Sequence, residues 1–389
     1  MDTKLSRPAG HIPGDLDQPA GENAGHHALS ASTARQVSLN VEARPYPPSW
    51  IDKLTDWVGR LPVPAWAFYM ALGFVLALLL VSTAWVGGAL SLDLALGTLV
   101  LDYFLSAMTF VYLLALVHYL DNSAAAALAR FRPVMAVDDA GYNKLAYQLT
   151  TLPARPTLIA SVLGAVYVLG SLVVSILTDP IQDLGAISPV VPLVEVSFRT
   201  LIYVLVGVVV YHTVHQLRTV NEIYTNYTRI NLFQLGPMYA LSGLAARTAI
   251  GIGIPTYLWF QVNSSSSTGN SPADIFETVF IGIIIVATFI WPLWGAHNLL
   301  EKEKQRLQDE VARRVEATIA TLHSRVDTGD LRDRGPLKET LDGLVAEQGV
   351  IDKLRTWPWR TETVRGLGLA FLLPIIIWVV QRVLERLGL

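Results

Sequence analysis

Four of the eight histidines, His118, His212, His215 and His297, stand where long apolar runs give way to polar sequence. His212 and His215 are three apart and share a helix face, a spacing that suits two metal ligands. Imidazole also titrates near neutrality, so a pH-responsive cluster is a second chemistry open to these residues. Plain polar capping of helix ends is the third. A different ionisable set lies inside the apolar runs: Asp102, Glu195, Arg199 and Arg247. A charged side chain at the centre of a bilayer costs about 2.5–3.5 kcal/mol even on the mild insertion scale, so these four must face protein or water. Glu195 and Arg199 are four apart on one face and can pair. Asp102 and Arg199 fall at similar depth, roughly 14–15 Å from the outer surface, with Arg247 deeper. Together they can form one network, either ion pairs that fix helix packing or the lining of a water-filled path or pocket.

Other chemistries are excluded. The chain has no cysteine, which removes disulfides, thiolate metal sites and thiol nucleophiles. It carries no GxSxG elbow, no phosphate-binding Walker loop and no HExxH pair. No enzyme activity, cofactor or metal site is assigned. Of 389 residues, 52% are hydrophobic and 16% charged, with a mean hydropathy of +0.42. A soluble protein carries about 25% charged residues. The deficit excludes a disordered chain, a nucleic-acid-binding domain and an ordinary cytosolic enzyme, and points to the lipid bilayer as the first partner.

The elements that must position these residues follow from the apolar runs. A span needs about 20 apolar helical residues. Spans are expected at Leu61–Leu92, Leu94–Leu120, Pro156–Thr178, Val190–Leu217, Pro237–Gln261 and Ala273–His297, with a short seventh between Arg365 and Arg382. Of the 29 Lys and Arg, 25 fall in the N-terminal segment and in alternate loops, while the other loops carry only acids. The positive-inside rule therefore puts the N-terminus in the cytoplasm and, with seven spans, the C-terminus outside. The fold class is all-α, a multi-pass cell-membrane protein. Residues 1–47 read as a disordered cytoplasmic tail, and 48–61 as an amphipathic helix in the inner interface, with Ile51, Leu54 and Val58 on its apolar face and Asp52, Lys53, Asp56 and Arg60 on the other. Residues 62–297 form a six-span bundle, 298–364 a cytoplasmic helical hairpin and 365–389 the seventh span. Trp291, Trp294, Trp357 and Trp359 flank the hairpin. They suit an inner aromatic belt or an elbow that couples the hairpin to the last helix.

This order of elements resembles the seven-transmembrane ion channel superfamily that includes insect odorant and gustatory receptors. The resemblance covers residues 50–389 in layout: N-terminus inside, C-terminus outside, and a cytoplasmic helix (337–355) leading directly into a short last span (366–386). It implies a homo-oligomeric channel whose last span lines the pore and whose preceding helix packs in a cytoplasmic anchor. The family's Tyr and Gln signature in the last helix is not matched, since Phe371 and Gln381 are ten apart. The adiponectin-receptor and ceramidase type of zinc hydrolase shares the seven spans, but its HxxxH on the last span has no counterpart here.

The expected function is a homo-oligomeric, ligand-gated ion channel for a small ligand or ion. Gly366, Gly368 and Pro374 supply a bend in the last span, and Gln381 and Arg382 its polar end. A transporter working through the intramembrane charges is one alternative. A non-conducting sensor or scaffold that signals through the hairpin is the other.

Overall fold

Long uncharged runs have one local way to satisfy their backbone away from water, which is to bond it internally as helix. In the computed structural model every regular element among the described residues is helical. These residues are 44–88, 96–178, 188–228, 232–233, 235–264, 272–328, 334–359, 362, 365, 366, 368 and 369. In chain order the helices are α1 (Trp50–Gly59), α2 (Ala65–Val86), α3 (Leu96–Phe131), α4 (Asp139–Thr150), α5 (Ala154–Thr178), α6 (Val190–Asn226), α7 (Met238–Ser264), α8 (Pro272–Asp327) and α9 (Arg334–Asp352). Four segments are long and apolar enough to cross a membrane: Ala65–Val86, Val100–Val134, Ala154–Val174 and Val190–Asn226. Pro374, Gln381 and Arg382, and with them most of the seventh-span segment, lie outside the described residues, as does 1–43.

Helix α1 begins at a capping box. The Ser49 hydroxyl accepts from the Asp52 amide, and the Asp52 carboxylate accepts from the Ser49 amide, so orphan donors of the first turn are satisfied reciprocally. The segment before it is stitched to the α4–α5 junction by Ser49 N–H to Leu152 O (3.0 Å) and Ala154 N–H to Pro47 O (3.2 Å). Two phenols reinforce the seam: Tyr46 donates to Thr151 O and Tyr147 to Tyr46 O, both at 2.8 Å. Ile51 and Val58 are buried, and Trp50 donates to Ser161 Oγ on α5.

Helices α2 and α5 are apolar all round, and their outward faces leave Trp66, Phe74, Leu163 and Tyr167 exposed. Such a surface belongs against acyl chains or another subunit. The tightest crossing is α5 on α6. A side chain at Gly164 would strike the backbone of Tyr203, and one at Gly207 the backbone of Ala160. The two glycines face each other's helix, so the axes approach as only a pair of side-chain-free positions permits. Gly170, one and a half turns further along α5, meets nothing.

The C-terminal parts of α3 and α6 converge with α4, α7 and the middle of α8 on a core cluster built on Phe131, Tyr224, Met238, Leu241 and Leu293. The fully buried Tyr224 donates to Met238 O at 2.7 Å, which satisfies the one polar atom this core contains at that point. Helix α8 has 56 residues, roughly 84 Å of continuous helix. Helix α9 runs back alongside its second half. Lys304 caps the end of α9 by donating to Asp352 O and Leu354 O, and Gln308 donates to the Asp352 carboxylate.

The α5–α6 crossing is testable. Gly164→Leu is expected to destabilise the protein by at least the 1–3 kcal/mol typical of overpacking, read as a lower melting temperature in detergent. Gly170→Leu is expected to leave the melt unchanged.

Candidate functional site

The chemistry-bearing side chains collect where α1 packs beside α3 and α6. Asp52 is 5% exposed. Its Oδ2 accepts three bonds, from Ser49 N–H (2.9 Å), Ser49 O–H (2.7 Å) and Leu152 N–H (3.0 Å), while Oδ1 has no protein partner. The periodicity of α1 puts this acid on the polar face. The structure instead turns it into the bundle, because capping its own helix and holding Leu152 needs a carboxylate at the buried first turn. Burial, above all, pushes the Asp52 carboxyl from 3.8 up to about 6, against the pull of the Ser49 bonds and with a further push from the Asp121 charge.

Asp121 on α3 and His212 on α6 form the second part. His212 Nε2 donates to Asp121 Oδ1 at 2.9 Å, and both side chains are at least 96% buried. Among the described residues Asp121 Oδ2 and His212 Nδ1 have no partner, and neither do Thr213 Oγ1 and both amide atoms of Gln216. His212 and Gln216 are four apart and share a face of α6. Counting Asp52 Oδ1, six buried polar atoms in five side chains are unpaired. Each such atom costs about 1–3 kcal/mol when dry. Six of them would consume the whole of a stability of about 5–15 kcal/mol, so ordered water is the physical requirement of this region.

At the rim, His215 Nε2 donates to Gln148 O at 2.9 Å and lies 3.3 Å from the Tyr46 hydroxyl. Its ring stacks on Tyr211. Burial raises the Tyr46 phenol above its ordinary range, helped by Tyr147, Tyr211 and Asp52, so it stays a neutral donor.

The other two histidines are elsewhere. His118 Nδ1 lies 3.0 Å from the Tyr69 hydroxyl, a pair that joins α3 to α2. His297 donates to Thr356 O and stacks face to face on Trp357 at 4.0 Å, and Trp357 in turn stacks on Trp359 at 4.3 Å. The four histidines thus mark three separate joints. Among the described residues no three His, Asp or Glu side chains converge as a metal would require.

The charges within the apolar runs are only partly gathered. Arg199 donates to Glu195 at 3.3 Å, with 55% and 46% of the two side chains exposed. Tyr103, beside Asp102 on α3, lies within electrostatic reach of both Asp102 and Glu195. Asp102 and Arg247 are exposed and form no ion pair among the described residues. Gly366 and Gly368 face open space within the protomer.

Sequence reasoning passed over Asp52, Asp121 and Gln216. The signal for Asp52 was present: Ser49 three residues before an acid and ahead of an apolar run is the signature of a cap. Asp121 follows a span and reads as a boundary, and Gln216 carries no charge to draw notice. Searches of protein-family models, curated proteins and solved structures find no match to this chain.

The raised Asp52 carboxyl has a signed consequence. Between 3.8 and about 6 the folded protein holds a proton that the unfolded chain releases. The resulting stability is fully present below 3.8 and is lost as pH rises through about 6. The difference in melting temperature between the wild type and Asp52→Asn is therefore expected to move against the wild type as pH rises through that window, and to be flat above it. Thermal melts in a pH series read it.

Proposed function

We propose that the chain is a homo-oligomeric ion channel of the cell membrane, with seven spans, a cytoplasmic N-terminus, an external C-terminus and the last span, 365–389, lining the pore. The observation that carries this reading is the position of the ionisable groups within the apolar helices. Asp102, Glu195, Arg199 and Arg247 all sit at the surface of the single chain. Acyl chains are a costly neighbour for charge, so a second copy or a water-filled path must cover these groups. Subunit assembly supplies both at once. The outer loops carry acids and no bases, which suits a mouth that attracts cations. A transporter would gather the same charges around an enclosed substrate site within one protomer, and their outward placement favours the channel.

A sensor reading has one observation of its own. Helix α8 runs unbroken from apolar sequence into the charged hairpin, and the His297–Trp357–Trp359 stack ties the far end of that hairpin back to α8. A displacement at either end is passed along a rigid element. In the channel this is the coupling of the hairpin to the pore helix.

Purified protein in lipid is expected to be an oligomer by native mass spectrometry and to pass cation current in planar bilayers under some ligand or pH. Glu195→Ala with Arg199→Ala is expected to reduce the assembled fraction several-fold. A monomer that is silent under every ligand and pH would overturn the reading.

A further inference from the structure

We propose that Asp52, Asp121, His212 and Gln216 enclose a buried, hydrated proton-binding site, in which Asp52 Oδ1 takes up one proton from water and shares it through ordered water with Asp121. The inference stands apart from the channel reading and concerns a different part of the molecule.

The geometry names the protonated atom. Asp52 Oδ2 is saturated by three donors, so a proton added to this carboxyl goes to Oδ1. Once protonated, Oδ1–H is a donor that needs an acceptor. Among the described residues the unpaired buried acceptors are Asp121 Oδ2, Gln216 Oε1, Thr213 Oγ1 and, with Nε2 donating to Asp121, His212 Nδ1. Of these, Asp121 acts electrostatically on Asp52 while no hydrogen bond joins the two, so a proton shared between them needs a bridging water. Asp121 Oδ1 is already taken by His212. Uptake of one proton relieves the repulsion between two buried carboxylates and breaks none of the three bonds that Oδ2 makes.

The charged and titratable surroundings are consistent from every side. On α1 the next acid is Asp56, which acts on Tyr147 of α4. The N-terminal segment contributes Tyr46 and Arg44, the latter acting on Tyr147. Helix α3 brings Asp121 and, one turn earlier, His118. Helix α6 brings Tyr211, His212, His215 and Arg218, and Arg218 acts on His215 and Tyr211. Among the described residues no lysine or arginine pairs with Asp52 or Asp121. Two carboxylates, one imidazole and one amide, with no lysine or arginine paired to them among the described residues, suit a proton as the cation they take.

The test is infrared titration of the full chain in lipid nanodiscs. The wild type is expected to show a protonated-carboxyl C=O band that fades as pH is raised through about 6 and shifts in heavy water. Asp52→Asn is expected to lack it. Asp121→Asn keeps Asp52 but removes the neighbouring charge, and is expected to lower its proton affinity about tenfold, a midpoint roughly one pH unit lower. The wild-type titration needs no substitution and stands if either variant fails to accumulate. A wild type without such a band, a band retained in Asp52→Asn, a midpoint unmoved by Asp121→Asn, or a signal that follows sodium or potassium rather than pH would each overturn the proposal.

Discussion

One carboxylate oxygen, Asp52 Oδ2, takes donors from two segments a hundred residues apart: the cap of α1 and the backbone of Leu152. An amphipathic helix needs only a greasy face to stay on its neighbours. This one is also held by an acid turned inward, which forces the α4–α5 junction against it. Bonds to a charged acceptor contribute about 1.5–3 kcal/mol each, which lessens the cost of burying this carboxylate without cancelling it, since burial still raises its proton affinity. The seam of Tyr46, Tyr147 and the Pro48–Pro153 bridge closes over the same spot. The arrangement of the surrounding helices depends on this joint, because α5 starts from it and α6 packs on α5.

From there the molecule divides its labour along the helix axes. Around the α5–α6 crossing, contacts are made by small residues and backbone, as at Gly164 and Gly207. Around α4, packing is mixed, and the apolar core built on Phe131 and Tyr224 adjoins the polar group of Asp52, Asp121 and His212. A purely apolar seam has many near-equivalent registers. Directional bonds at one end select among them, while van der Waals contact along the rest of the helices supplies the cohesion.

The helical class and its apolar character were legible in the sequence, because hydrophobic run length is a local property and backbone satisfaction in lipid permits few alternatives. The site was legible only in pieces. His212 stood out as a histidine near His215, and their spacing suggested shared ligation. In the structure the three-residue offset is enough to aim them at different elements, one at Asp121 on α3 and the other at Gln148 O. Asp52 was assigned outward because amphipathic counting treats every acid as solvated. The pairing of Asp121 with His212 spans 91 positions and leaves no local trace. Glu195 and Arg199 were readable as a pair because both lie on one helix, whereas their exposure depends on which helices surround α6, which one chain's pattern does not encode.

The length of α8 has a mechanical meaning. Beyond Pro292 the helix keeps every amide donor, so the stretch from Leu293 to Asp327, roughly 50 Å, bends only at a cost. It therefore carries rotation outward. A tilt of about 5° at the segment packed in the core, Leu293 to Leu300, sweeps the tip at Asp327, about 40 Å away, through roughly 3.5 Å. Helix α9 is clamped to that rod at Lys304 and Gln308, close to the fulcrum rather than to the tip, so it is carried through a smaller arc than the free end.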